Sequence, residues 1–331
     1  MRHAGFTLIE MMISLFIGGL ILGGVMFTYL GMKTTTKGTM AIGELQESGR
    51  LAINIMQRDI EQVGFWGNYY NSSFNTTNTT SLTNITPDCF EGDNNGSFPD
   101  LVSNSNFKTI YAKTAASATE LNCINNPVKN TDILQIKFVQ GNQLEVSATA
   151  NETAENSYYF LAEQELARFV KGKVDAATLN VNATVWPYSH HVYYIGEQTY
   201  TVNNKSLTVP ALMRKRLTSS GMITETIMEG VENVRFVFGL DTNGNSRVDA
   251  YRSVNSMQAA EWDNQKGILT VQLFLLVRTL QPEAGIKIND QKYILGEDSG
   301  KRELTFNDNY RRTVFTTTIR LNNVGANLWR I

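Results

Sequence analysis

Met11 to Met32 contains no charged side chain, and this run constrains the chain more than any other feature. At about 1.5 Å per residue, a helix over Phe6 to Met32 spans roughly 40 Å, enough to cross a bilayer. The run is too long for the apolar region of a secretory signal peptide, and no small-x-small cleavage site follows it. It is therefore expected to stay in the mature protein. Glu10 stands near its start, and a carboxylate inside an apolar helix costs about 3 kcal/mol on insertion scales. Such a charge needs a partner.

The residues around it, Gly5-Phe6-Thr7-Leu8-Ile9-Glu10, resemble the type IV prepilin motif. The resemblance implies a leader of residues 1–5, cut between Gly5 and Phe6 by a prepilin peptidase, and methylation of the new Phe6 amine. It also implies that Glu10 meets the Phe6 amine of a neighbouring subunit during assembly. Charge does not orient the span, since Arg2 and His3 precede it and Lys33 and Lys37 follow it. Only the resemblance puts the rest of the chain in the periplasm, with the helix held in a bacterial inner membrane before it joins a surface pilus.

With 331 residues, 42% of them hydrophobic, the chain can bury a sizeable core. The net charge of −2 leaves no basic excess for phosphates, so direct nucleic-acid binding is not expected. Cys89 and Cys123 both follow the membrane segment. They read as one disulfide in an oxidising compartment, with two buried free thiols as the alternative.

After Met32, Thr34 to Gly38 is a run of poor helix formers that is expected to loosen the helix. Helical periodicity then returns in Ala41, Leu45, Ala52, Met56, Ile60 and Val63, so residues 33–67 read as an amphipathic half packed on a head. Asp59 and Glu61 are read as its solvated face. Residues 68–130, rich in Asn, Thr and Ser, read as a polar surface insertion carrying the disulfide.

From Ile133 the period falls towards two, and residues 131–331 read as a β-rich globular head. Ile133–Val139 and Gln143–Ala148 read as a hairpin, and Glu163–Val170 as a short helix. Further strands are expected over 157–161, 191–196, 199–202, 206–209, 212–217, 231–238 and 312–321. The apolar strand 267–279 is expected at the centre, covered on both faces. The fold class is α+β and pilin-like, a long N-terminal helix on an antiparallel β-sheet head with a polar insertion.

Gly230-Val-Glu-Asn-Val-Arg-Phe236, Trp262, Val271-Gln-Leu-Phe-Leu-Leu-Val-Arg278 and the Arg311-Arg-x-Val-Phe-x-Thr-Thr318 ending resemble the PilW family of minor type IV pilins. The resemblance implies a non-catalytic subunit that helps prime or assemble a pilus near its tip, with minor and major pilins as partners. A type II secretion pseudopilin shares the same N-terminus, and an adhesin with residues 68–130 as its receptor surface is a further alternative.

Asp241, Asn243, Asn245, the Arg247 carbonyl and Asp249 place oxygens at alternate positions of one loop and resemble a Ca²⁺ loop with fewer carboxylates than usual. The same residues read equally as a polar hairpin turn around Asn243-Gly244. His190-His191 reads as packing with edge hydrogen bonds rather than as a metal site. Arg214-Lys215-Arg216 reads as the exposed edge of a sheet. No catalytic motif is present.

Overall fold

The computed structural model describes residues 5, 7–71, 73–83, 85–202, 205–283, 288–297 and 300–324. One helix, Leu8–Glu61, runs unbroken through the Thr34–Gly38 stretch. The stretch was expected to loosen the helix, but the threonines satisfy themselves inside it. Thr34, Thr35 and Thr39 donate their hydroxyls to the carbonyls of Leu30, Gly31 and Thr35. The chain turns away after Gln62, at Gly64 with φ +83° and Gly67 with φ +63°. A Cβ on Gly67 would lie 2.3 Å from Nε1 of Trp186, so glycine is required by space as well as by φ.

The head holds two main sheets. In the first, Thr184–Val202 is the hub. It pairs antiparallel with Tyr158–Ala162 at its start, with Asp132–Val139 in its middle and with Lys205–Thr218 along its second half. Ile110–Thr114 extends this sheet beyond Asp132–Val139, and Gly221–Glu229 extends it beyond Lys205–Thr218. The second sheet is antiparallel and ordered Ala250–Ser253, Val231–Leu240, Ile268–Arg278, Arg312–Arg320.

Ile268–Arg278 is central, as its apolar run predicts. Val271, Leu273, Leu275 and Val277 face the core shared with the helix. Phe274 and Leu276 face the hairpin of Ile288–Leu295 and Arg302–Asp308, which covers the other side. The core facing the helix takes Leu45, Ala52, Met56, Ile60 and Val63 from the predicted stripe, each large side chain contributing about 1.5–3 kcal/mol on full burial. Gly49 belongs to the same face, because a side chain there would enter the ring of Phe315.

Several local expectations gave way to long-range pairing. Gln143–Ala148 does not pair with residues 133–139, whose two edges are taken by residues 110–114 and 188–193. Ala167–Lys171 is a strand rather than part of a helix. Phe169 and Val170 sit opposite Phe160 and Tyr159, the cross-strand packing that β-branched and aromatic side chains favour. The strand holding Arg214-Lys215-Arg216 has a neighbour on each side and is not an edge.

Residues 68–130 are not a surface appendage. They supply strand Ile110–Thr114, and Cys89 bonds to Cys123 across a separation of 34 residues. Phe98, Phe107, Leu121 and Ile124 are buried with Trp66, Phe160 and Phe169 in a second, aromatic-rich core. Polar composition misled here because many of the polar side chains are buried with partners. Asp88, for example, accepts hydrogen bonds from the amides of Cys89 and Ser97 and from Ser97 Oγ.

Candidate functional site: a bare apolar helix seated on a β head

The N-terminal half of the helix stands clear of the head. No residue of its most apolar window is buried, and Leu8, Leu15 and Phe27 are each close to 80% exposed. An apolar surface of that size is stable only in lipid or against other apolar helices. Thr7 caps the helix. Its hydroxyl accepts from Glu10 N at 3.4 Å, while Glu10 Oε2 accepts from Thr7 N at 2.9 Å and Thr7 Oγ1 at 2.8 Å. Glu10 has no cationic partner among the described residues. Gly5 is exposed, and Phe6 lies outside the described residues.

The other half is fastened to the head by a charge that sequence reading assigned to solvent. Asp59 Oδ2 lies 2.5 Å from His191 Nδ1, 2.5 Å from Tyr193 OH and 3.4 Å from an Arg214 guanidinium nitrogen. Arg214 in turn holds Glu225 at 2.7 Å. Burial pushes the Asp59 carboxyl up. The hydrogen bonds from His191 and Tyr193 and the charge of Arg214 outweigh it and hold the group below its usual range. Burial pushes His191 down despite Asp59, so a neutral imidazole donates Nδ1–H to the carboxylate. A signal for Asp59 existed. It stands seven residues after Ala52 and three after Met56, on the buried stripe itself.

A second ionic clamp joins the sheets. Asp132 is fully buried and accepts from Arg302 at 2.6 Å, from Thr114 Oγ1 at 2.8 Å and from the Phe236 amide at 3.0 Å. His190 is buried as a hydrogen-bonded core residue. Its Nδ1 is 2.8 Å from Ser97 Oγ and its Nε2 is 2.8 Å from Gln135 Nε2, so packing with hydrogen bonds is what the pair does.

The Asp241 loop joins strands Val231–Leu240 and Ala250–Ser253. Asp241 Oδ1 accepts from the amides of Asn243, Gly244 and Asn245 at 3.2, 2.7 and 3.1 Å, and Oδ2 from Ser246 at 2.7 Å. Asn243 Oδ1 takes the Asn245 amide, Asn245 Oδ1 takes the Arg247 amide, and Asp249 Oδ2 takes Thr242. Desolvation raises the Asp241 carboxyl, and the amides, those of Ser246 and Gly244 foremost, outweigh it and hold it low. The side-chain donors are oxygens, which suit a hard cation, but they already serve amide hydrogens. Among the described residues no three of His, Cys, Asp and Glu converge on a metal-sized space.

A family model described as the prokaryotic N-terminal methylation motif matches residues 1–26, the segment that begins the bare helix. That motif, a long apolar helix and a mostly antiparallel head together make an α+β, pilin-like fold. A second model, described as type IV pilus-assembly protein W, matches residues 192–323, from the hub strand to the end of the second sheet. Together the two matches support a PilW-like type IV pilin involved in pilus assembly. No curated protein and no solved structure matches it.

Proposed function

We propose that this chain is a minor, non-catalytic pilin that primes or joins pilus assembly near the tip. The observation that carries the reading is the division of one helix into a bare half with a lone acid, Glu10, and a half locked into the head. The bare half holds the precursor in the inner membrane, with the head in the periplasm. It then leaves lipid by packing against the helices of other minor and major pilins. Cleavage between Gly5 and Phe6 by a prepilin peptidase frees an amine, and Glu10 of one subunit pairs with the Phe6 amine of another to set register.

Glu10→Ala tests this in cells. The variant should insert into the membrane in normal amounts and fail to enter pili. Normal incorporation would refute the pairing. The mass of the mature N-terminus is a second check, since the reading requires a methylated Phe6 and is lost if the envelope form still starts at Met1.

The same reading includes weak Ca²⁺ uptake by Asp241, Asn243, Asn245, Arg247 and Asp249. The support is an oxygen-only donor set with two carboxylates on one short loop. Calorimetric titration of the full chain in micelles should show a weak, saturable site that Asp241→Asn removes. No heat at millimolar Ca²⁺ would make the loop a turn that satisfies itself.

A further inference from the structure

Lys137 stands on strand Asp132–Val139 with its amine sealed in the second core, none of its surface exposed. Among the described residues no carboxylate comes within ion-pair distance of it. Its Nζ is 2.9 Å from Asn95 Oδ1, 3.2 Å from Asn95 O and 2.6 Å from Lys108 O, and it sits 4.9 Å from the centre of the Phe107 ring. Burial pushes the amine far below the usual lysine range, and the nearby Lys108 charge adds to this against the opposing charge of Asp88. A neutral amine has two hydrogens, so one of the three surrounding oxygens faces its lone pair. In its neutral form the desolvated amine is a nucleophile.

Asn95 is held as firmly as the lysine. It is 1% exposed, its Nδ2 donates to Glu91 O at 3.2 Å, and its carbonyl accepts from Gln135 Nε2 at 3.1 Å. The Cys89–Cys123 bond and the Asp88 carboxylate pin the loop that carries it.

We infer that Lys137 and Asn95 become joined by an intramolecular amide bond. The Nζ lone pair attacks Asn95 Cγ, the Cγ–Nδ2 bond breaks, and a proton from Nζ goes to Nδ2, which leaves as ammonia. No oxidant or reductant is needed. Two rigid partners in contact replace a bimolecular encounter, which gives the reaction a high effective concentration. The product nitrogen keeps one hydrogen for the Lys108 carbonyl and has no basic lone pair, so the mismatch among the three oxygens disappears. The bond would tie the 68–130 segment to the sheet beside the disulfide and hold it there under reducing conditions.

Mass spectrometry of the reduced, mature full chain decides the matter. The wild type should be lighter than its sequence mass by one ammonia. A tryptic digest should contain residues 59–108 joined to residues 130–168, uncut after Lys137. Lys137→Met and Asn95→Ala should each restore the full mass. Succinimide formation at Asn95-Gly96 also loses ammonia, but it survives Lys137→Met and yields no branched peptide, and that pattern would overturn the inference. So would a wild type of full mass that trypsin cuts after Lys137. The peptide map of the wild type suffices if either variant fails to fold.

Discussion

Gly49 offers a sharp test of how the helix sits on the head. Glycine inside a helix costs about 1 kcal/mol relative to alanine, so Gly49→Ala would ordinarily stabilise by about that amount. Here the added Cβ would meet three Phe315 ring atoms at 2.3 to 2.5 Å. Carbon atoms prefer about 3.5–4.0 Å, so the ring or the helix must retreat by about 1 Å or more. Overpacking of this kind costs about 1–3 kcal/mol. The net expectation is a loss of up to about 2 kcal/mol, against a gain of about 1 kcal/mol for Gly43→Ala on the same helix, where nothing lies within 4 Å. Urea denaturation of the full chain in mild detergent, followed by tryptophan fluorescence, measures both. In a Phe315→Ala background Gly49→Ala should turn stabilising, giving a coupling of about 1–3 kcal/mol in the double-mutant cycle. Equal gains for Gly43→Ala and Gly49→Ala in the wild-type background would refute the close seating of the helix on strand Arg312–Arg320.

Asp59→Ala should cost about 3–5 kcal/mol in the same assay, because His191, Tyr193 and Arg214 lose a buried partner, while Asp59→Asn should cost less. Stability should also fall in mild acid. His190 and His191 are both held below their ordinary values by burial, so the unfolded chain binds protons first and stability drops as pH falls below about 6.5, by about 1.4 kcal/mol per unit for each histidine still neutral. The low Asp59 carboxyl adds to the loss only below its own ordinary range. His190→Gln should flatten the slope between pH 6.5 and 5 relative to wild type, and an unchanged slope would remove His190 from the account. Deleting residues 68–130 should unfold the head, since it removes strand Ile110–Thr114, the disulfide and Phe98 and Phe107. Circular dichroism showing an intact β signal would contradict that.

Much of the architecture was legible where the physics is local. The stripe from Leu45 to Val63 and the central strand 268–278 follow from periodicity and apolar content within a few residues. Failures came where a local pattern competed with a distant partner. Gln143–Ala148 lies beside a strand whose edges were already filled. Part of the polar 68–130 segment is buried, and Asn95 accepts there from Gln135, 40 residues on, and from Lys137, 42 residues on. Asp59 looked like surface charge because His191, its partner, lies 132 residues on.

What the sequence determined alone is the division of labour: a charge-free helix with one acid at its start, made to leave water, followed by a chain able to build a β core. Those properties reside in runs of neighbouring residues, where charge, spacing and apolar content act directly. Only the tertiary structure decided how the head closes on the helix, through Gly49 against Phe315, Asp59 under His191, Asp132 under Arg302 and Lys137 against Asn95. Each of these contacts joins residues far apart in the chain, and burial sets its energy. Burial is a property of the folded whole and is written in no short stretch of sequence.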